Sequence, residues 1–276
     1  MLISIVMTVY NRERYVAEAI ESVLGQTFTD FELIIWDDGS SDNSLEIARS
    51  YAKQDTRIRV FASEHLGQSR ALDGATRQAQ GALLGMVDSD DILLPTALEK
   101  TAALLKNNPT AGMVYTHHSE MDEMGQDLGI GRRCKIPYSK ERLLLDFMIL
   151  HFRLIRTDLF WKIGGIDTNF NAALDYNFCL KLSEITEIQT IPEVLYRYRV
   201  HRQSISGGKQ LEQIRCTYVA ISQAMQRRGL SESYDLKLDI KPWFSIRNKQ
   251  SKADSSQNDT QQERDKAMAS QVRHQQ

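Results

Sequence analysis

Three carboxylates fall within four residues at Asp88-Ser89-Asp90-Asp91, directly after the apolar run Ala82 to Val87 and just ahead of Pro95. Carboxylates this close repel and raise one another's pKa, so the cluster calls for a cation. In Asp-x-Asp the two side chains are two residues apart, and on an extended segment they point to the same side. Such a pair of hard oxygens, together with a diphosphate, suits Mg2+ or Mn2+, which keep part of their coordination shell for phosphate and water. The competing reading is a solvated helix start, where Asp caps free amides and favours the dipole. Asp91 fits that role; Asp88 and Asp90 are expected to bind metal.

The elements around the cluster decide what can meet it. Leu2 to Val9 is β-rich and nearly all apolar, as in a strand covered on both faces. Asn11 can cap a helix with Tyr15, Ala19, Ile20, Val23 and Leu24 at helical spacing, and Gly25 stops it. Strands follow at Phe31 to Trp36, Ile58 to Ala62 and Ala82 to Val87. Helices are expected from about Asp42 to Tyr51, Gly67 to Gln80 and Pro95 to Lys106, with a further strand over Gly112 to Thr116. This alternation indicates an α/β fold, a mostly parallel sheet with helices on both faces. Right-handed crossovers then put the strand C-termini on one edge, where open α/β sheets bind ligands. Thr8-Val9-Tyr10, Asp37-Asp38 and Asp88-Ser89-Asp90 should converge there.

A cleft with a divalent cation and helix N-termini suits a nucleotide diphosphate, with the cation acting as a Lewis acid on the leaving group. Tyr10 could stack on a base, or be only a half-buried aromatic. Asp38 could accept a hydrogen bond from a base N–H such as that of uracil, or form an Asx turn with Gly39. Arg70 could contact base or phosphate, or form a surface ion pair. Other nucleotide folds fit less well. Tyr10-Asn11-Arg12-Glu13-Arg14 stands where a dehydrogenase carries G-x-G-x-x-G, and the chain has no G-x-x-x-x-G-K-[ST] loop.

The 276 residues are 42% hydrophobic and carry a net charge of -2, which gives no hint of a nucleic-acid partner. Cys134, Cys179 and Cys216 lack C-x-x-C spacing and read as reduced thiols. Strand-like sequence from Leu2 leaves no room for a signal peptide, and no stretch is apolar enough to span a membrane, so a cytoplasmic location is expected. After about residue 120 the α/β rhythm weakens. Asp122-Glu123-Met124-Gly125 looks like a hairpin turn, Glu141 to Leu154 reads as a core helix, Gly164-Gly165 as a turn, Ser204 to Gly208 as a flexible stretch and Glu212 to Gly229 as a helix. Residues 246–276 are Gln-, Ser- and charge-rich and should form a disordered tail.

Val6-Met7-Thr8-Val9-Tyr10-Asn11, Trp36-Asp37-Asp38-Gly39-Ser40-Ser41-Asp42, Val87-Asp88-Ser89-Asp90-Asp91, Gly164-Gly165-Ile166-Asp167 and Asp175-Tyr176 occur in this order. Together they resemble the signature of glycosyltransferase family 2, over roughly Met1 to Ser206. D-x-D alone is weak; five motifs in order are specific. The resemblance implies a GT-A fold and inverting transfer of one sugar from a nucleotide-diphosphate donor, a UDP-sugar, to an acceptor hydroxyl. It implies that 1–116 binds the nucleotide sugar and that 117–245 forms a smaller acceptor-side region of the same domain. Thr8, Tyr10 and Asp38 would line the uridine pocket, Arg70 would contact the nucleotide, and Ser89 would lie with Asp88 beside the donor. Asp88 and Asp90 would hold Mn2+ or Mg2+, Asp90 directly, with His201 as a further ligand. Asp175 would be the general base that takes the proton of the attacking hydroxyl; read without the resemblance, it is a helix N-cap.

The chain departs from the pattern in two places. Leu174-Asp175 stands where many relatives have an acidic pair, and His65 where an Asn is common. The Q-x-x-R-W motif of processive synthases is absent. The implied acceptor is a carbohydrate or a lipid-linked molecule in cell-surface polysaccharide or glycolipid synthesis, reached in part by peripheral association with a membrane, and Met121 to Phe160 should select it. The sequence sets no oligomeric state. The alternative is a catalytically silent nucleotide-sugar-binding module on the same fold.

Overall fold

The computed structural model describes residues 1–201 and 210–239. The flexible stretch expected at Ser204 to Gly208 and the tail expected at 246–276 lie outside the described residues. The account below concerns Met1–Leu236, which forms one compact unit.

The first half follows the expected rhythm: β1 (Ile3–Val9), α1 (Val16–Leu24), β2 (Phe31–Asp38), α2 (Ser44–Ala52), β3 (Ile58–Ser63), α3 (Gln68–Arg77), β4 (Leu83–Met86), β5 (Ile92–Leu93) and α4 (Ala97–Asn107). The second half contains β6 (Ala111–Met121), β7 (Asp127–Ile130), β8 (Arg153–Arg156), α5 (Thr157–Lys162), α6 (Leu174–Ile185), β9 (Glu187–Arg199) and α7 (Gln210–Arg227). All the strands join one nine-stranded sheet in the order β3-β2-β1-β4-β8-β6-β9-β5, with β7 paired to β6. β1 to β4 pair in parallel; β8 runs antiparallel to both β4 and β6, and β9 runs parallel to β6.

Strand residues alternate between two apolar layers, as a period of two requires. Ile3, Ile5, Met7, Leu33 and Ile35 pack with α1 and α4 residues such as Val16, Ile20, Leu98 and Leu105. Val6, Ile34, Leu84 and Met113 pack on the other face with Leu72 and Ala75 of α3, Leu180 of α6 and Ala220 of α7. Each fully buried Ile, Leu or Val contributes about 1.5–3 kcal/mol relative to exposure, so both helical layers are held by burial.

Some local expectations are corrected. Asn11 does not cap α1. It sits at φ 52, and its Oδ1 accepts the Ser41 backbone N–H at 2.8 Å, tying the loop after β1 to the loop after β2. The apolar run from Glu141 is not a helix. It forms a single 3-10 turn at Arg142–Leu144, then irregular chain leading into β8. Leu143, Met148, Ile149 and Leu154 are still buried, while Leu145 is left exposed, so the core reading holds without the helix. β9 has no counterpart in the expected elements. The hairpin turn at Asp122 is present, with Gly125 N–H donating to Asp122 O at 3.0 Å.

Candidate active site

The strand directions place the C-terminal ends of β1, β2, β4, β6 and β9 and the start of β8 on one edge of the sheet. The carboxylate cluster follows β4 on that edge. Asp91 is the most deeply placed, at 1% exposure. Its Oδ2 accepts the Tyr196 hydroxyl at 2.8 Å and its Oδ1 accepts the Arg199 backbone N–H at 2.7 Å. The Tyr196 hydroxyl oxygen also accepts the Asp88 backbone N–H at 3.1 Å. Asp91 therefore fastens the turn to β9 and does not cap a helix. Burial and the charges of Asp88 and Asp90 push its carboxyl well above the usual range.

Asp90 faces a different set of groups. Its Oδ2 accepts Arg12 Nε at 2.9 Å and lies 2.9 Å from His201 Nε2. Its backbone carbonyl accepts Arg199 Nε at 2.8 Å. Asp88 Oδ2 lies 3.3 Å from His151 Nε2. Burial, with the Asp90 charge adding to it, pushes the Asp88 carboxyl up to about 7, while burial beside the Arg153 cation holds His151 well below the usual imidazole range. His151 stacks on Tyr196, with centroids 4.9 Å apart. Ser89 is buried in the same turn.

Two groupings could hold a divalent cation. Asp88, Asp91 and His151 offer ligand atoms that all lie within 4.8 Å of one another. Asp90 and His201 form the second, with Asp88 two residues away. The carboxylates of both suit Mn2+ or Mg2+; the imidazole fits Mn2+ better than Mg2+, which prefers oxygen ligands throughout. Asp91 already commits both oxygens to β9, whereas Asp90 directs one oxygen, Oδ2, at both the Arg12 and His201 side chains.

Asp175 lies in the first turn of α6, one residue after Leu174, and Ala173 precedes the helix at φ 53. Its Oδ1 accepts the Tyr176 backbone N–H at 2.9 Å and its Oδ2 accepts Arg153 Nη1 at 3.2 Å. The side chain keeps 31% exposure. It is not the N-cap residue.

The end of β2 lies on the same edge of the sheet. Asp38 is buried, and its carboxylate accepts the backbone N–H groups of Leu66 at 2.8 Å and Gly67 at 3.0 Å. His65 Nδ1 lies 2.8 Å from Asp38 Oδ2, and the His65 ring stacks on Tyr10 at 4.0 Å between centroids. Gly39 makes this approach possible: at φ +74, a Cβ there would come within 2.6 Å of His65 N. Asp38 does not make an Asx turn here; the loop is held by Asp37, whose Oδ1 accepts the N–H of Ser40, three residues on, at 3.0 Å. Tyr10 is left 41% exposed. Thr8 is half-buried next to it in β1, and Arg70 is exposed on the first turn of α3.

Arg12, His151, Arg153, Tyr196 and Arg199 join the site without having been singled out by sequence. Arg153 and Arg199 carry a signal that could have found them: charged residues inside β-rich stretches, buried here to 4% and 3% side-chain exposure.

Among the described residues no helix is long and apolar enough to cross a membrane. The profile of Glycosyl transferase family 2 matches residues 4–164. The chain is similar to a chondroitin synthase of Escherichia coli, 30% identical over 231 residues, covering 84% of this chain and 34% of that protein. It thus spans about a third of that relative's length. S. aureus TarS residues 1–349, in complex with UDP-GlcNAc, superposes with TM-score 0.67 at 20% identity, over 84% of this chain and 71% of that one. The mannosyltransferase PcManGT of Pyrobaculum calidifontis, in complex with GDP-Man and Mn2+, gives TM-score 0.60 at 15% identity over 85% of this chain and 76% of that one. The sheet with its helical layers is the fold these two share.

Proposed function

Because the chain belongs to glycosyl transferase family 2, we propose that it moves a single sugar from a UDP-sugar to an acceptor hydroxyl with inversion at the anomeric carbon. The observation that carries this reading is the meeting of Asp90 and His201 at the ligand-binding edge of the sheet, with Asp175 partly exposed beside Arg153 at the start of β8. Asp90 and His201, with Asp88, would hold Mn2+ or Mg2+, which neutralises charge on the departing diphosphate. The Mn2+ bound with GDP-Man by the mannosyltransferase of the same fold supports that ion. Asp175 takes the proton of the attacking hydroxyl. Both its oxygens are already oriented by donors, so the carboxylate is held before the acceptor arrives.

At the nucleotide end, Tyr10 and Thr8 line the base pocket, and Arg70 and Ser89 lie along the donor. Asp38, buried with both oxygens engaged by His65 and the Leu66 and Gly67 amides, lines the uridine pocket by holding that loop and the His65 ring in place, and not as a direct acceptor for the base. UDP-GlcNAc in TarS supports a uridine donor. Residues 1–116 would bind the donor and 117–245 the acceptor, a carbohydrate or lipid-linked glycan in cell-surface polysaccharide synthesis. The chondroitin synthase relative supports that acceptor class. The enzyme would work in the cytoplasm, peripherally at the membrane face.

The test is a panel of nucleotide sugars assayed for Mn2+-dependent release of nucleotide, with UDP, GDP and ADP competing. A UDP-sugar should be consumed and UDP should compete best. Tighter competition by GDP rejects the uridine pocket; binding without any turnover of any donor rejects an active transferase in favour of a silent module.

A further inference from the structure

Between the carboxylate turn and Asp175 stands Arg153. It opens β8, paired with Met86 of β4 and Tyr115 of β6, and its side chain is 4% exposed. A buried guanidinium is costly to desolvate, and a hydrophobic residue of similar volume usually serves a fold at least as well. Leu154 and Ile155, which follow it in β8, are apolar and fully buried. Stability alone therefore gives little reason for an arginine at this point.

Its contacts supply the reason. Nη1 donates to Asp175 Oδ2 at 3.2 Å and to Ile149 O at 3.2 Å. Nη2 lies 3.5 Å from His151 Nδ1, and His151 Nε2 lies 3.3 Å from Asp88 Oδ2. The guanidinium carbon sits 5.4 Å from the centre of the Phe178 ring, on α6. With Nη2 donating to Nδ1, the neutral imidazole carries its proton on Nε2, facing Asp88. A continuous series of contacts thus runs from Asp175 through Arg153 and His151 to Asp88. It joins α6 to the turn after β4.

We propose that Arg153 is a positioning residue, which fixes the Asp175 carboxylate toward the acceptor and, through His151, sets its place relative to the donor-side Asp88. The planar guanidinium holds its donors in a fixed fork on separate nitrogens, whereas an ammonium presents rotatable donors from a single atom. Arg153 touches no reacting atom in this scheme; it acts through Asp175. The inference rests on the reading of Asp175 as general base.

Arg153→Gln and Arg153→Lys separate positioning from mere packing. Turnover is measured with the UDP-sugar that the unaltered enzyme consumes fastest in the panel above, and Kd for UDP with Mn2+ by calorimetry. Misplacing a catalytic group by about 1 Å can cost on the order of 100-fold in rate. Arg153→Gln should lower kcat by about 10–100-fold with UDP affinity kept within about threefold, and Arg153→Lys should recover part of that loss. If Arg153→Gln does not fold, as judged by circular dichroism, Arg153→Lys carries the test, with about a tenfold fall in kcat expected. A folded variant with unaltered kcat, or one that loses UDP binding in step with kcat, overturns the proposal. Asp175→Asn in the same assay tells the two failures apart. An active Asp175→Asn removes the base assignment and this inference with it; an inactive one beside a fully active Arg153→Gln removes this inference alone.

Discussion

His201 Nε2 lies 2.9 Å from Asp90 Oδ2, although 111 residues separate the two in the chain. Arg12 Nε shares the same oxygen at 2.9 Å. A carboxylate that draws an imidazole and a guanidinium to one atom is placed to exchange them for a cation with imidazole and oxygen ligands. Asp90→Ala should abolish Mn2+-dependent UDP binding and leave the fold intact. Calorimetry with UDP, with and without Mn2+, measures this, and an unchanged Mn2+-dependent affinity in the folded variant refutes the assignment.

Asp88 gives a pH signature. Its carboxyl is pushed up to about 7, from an ordinary value of 3.8 that the unfolded chain retains. Between about pH 4 and pH 7 the folded state therefore holds more protons than the unfolded state, and the contribution of Asp88 to stability falls as pH rises through that window. Asp88→Asn is neutral throughout. In EDTA, the variant's advantage in Tm over the natural sequence should grow from pH 5 to pH 8, and Mn2+ should narrow it at pH 8. A Tm difference that stays flat across this range, with and without Mn2+, contradicts the proposed electrostatics.

Asp175→Asn keeps the shape of the side chain and removes the proton acceptor. Transfer should fall by about 10²–10⁴-fold, the usual range for loss of acid–base catalysis. UDP-sugar affinity should hardly change, since the base faces the acceptor. Turnover and Tm are read on the same preparation. Full activity with an earlier melt would assign Asp175 to holding Arg153, and the base would have to be sought elsewhere.

Asp91 is a stability residue by its contacts. Asp91→Ala leaves the Tyr196 hydroxyl and the Arg199 N–H without acceptors in a buried place, at about 1–3 kcal/mol for each such group. Urea denaturation should show a loss of about 2–6 kcal/mol on that basis. A loss under about 0.5 kcal/mol, the range of ordinary surface changes, would mean that the turn is held without it.

The first half was legible because its strands are buried on both faces and so read as nearly all-apolar runs, as in Ile3–Val9 and Phe31–Trp36. β9 was not. Its sequence, Glu187-Ile188-Gln189-Thr190-Ile191-Pro192-Glu193-Val194-Leu195-Tyr196-Arg197-Tyr198-Arg199, mixes polar residues and a proline with its buried positions. The leucines after Glu141 suggested a helix, yet Leu143 is buried on a 3-10 turn and Leu154 in β8, with irregular chain between them. Within the site, the Asp-x-Asp turn, Asp175 and His201 could be named because residue type and motif mark them. Arg153 and His151 could not, since their significance lies in distances across three elements that no local spacing encodes.

The Asp91 fastening to β9 also has a bearing on how the chain matures. Arg199 follows Asp91 by 108 residues, so on the ribosome the acidic turn emerges long before its clamp. β9 must then find a parallel place beside β6, with Ala111 opposite Glu187 and Met121 opposite Arg199. Parallel pairings over such separations are slow to form, because loop closure precedes any reward. Nascent chains that end ahead of β9 carry β1 to β8 but an unclamped acidic turn. Protection of that turn is then a clock for the last stage of folding, readable by amide exchange on chains arrested at successive lengths.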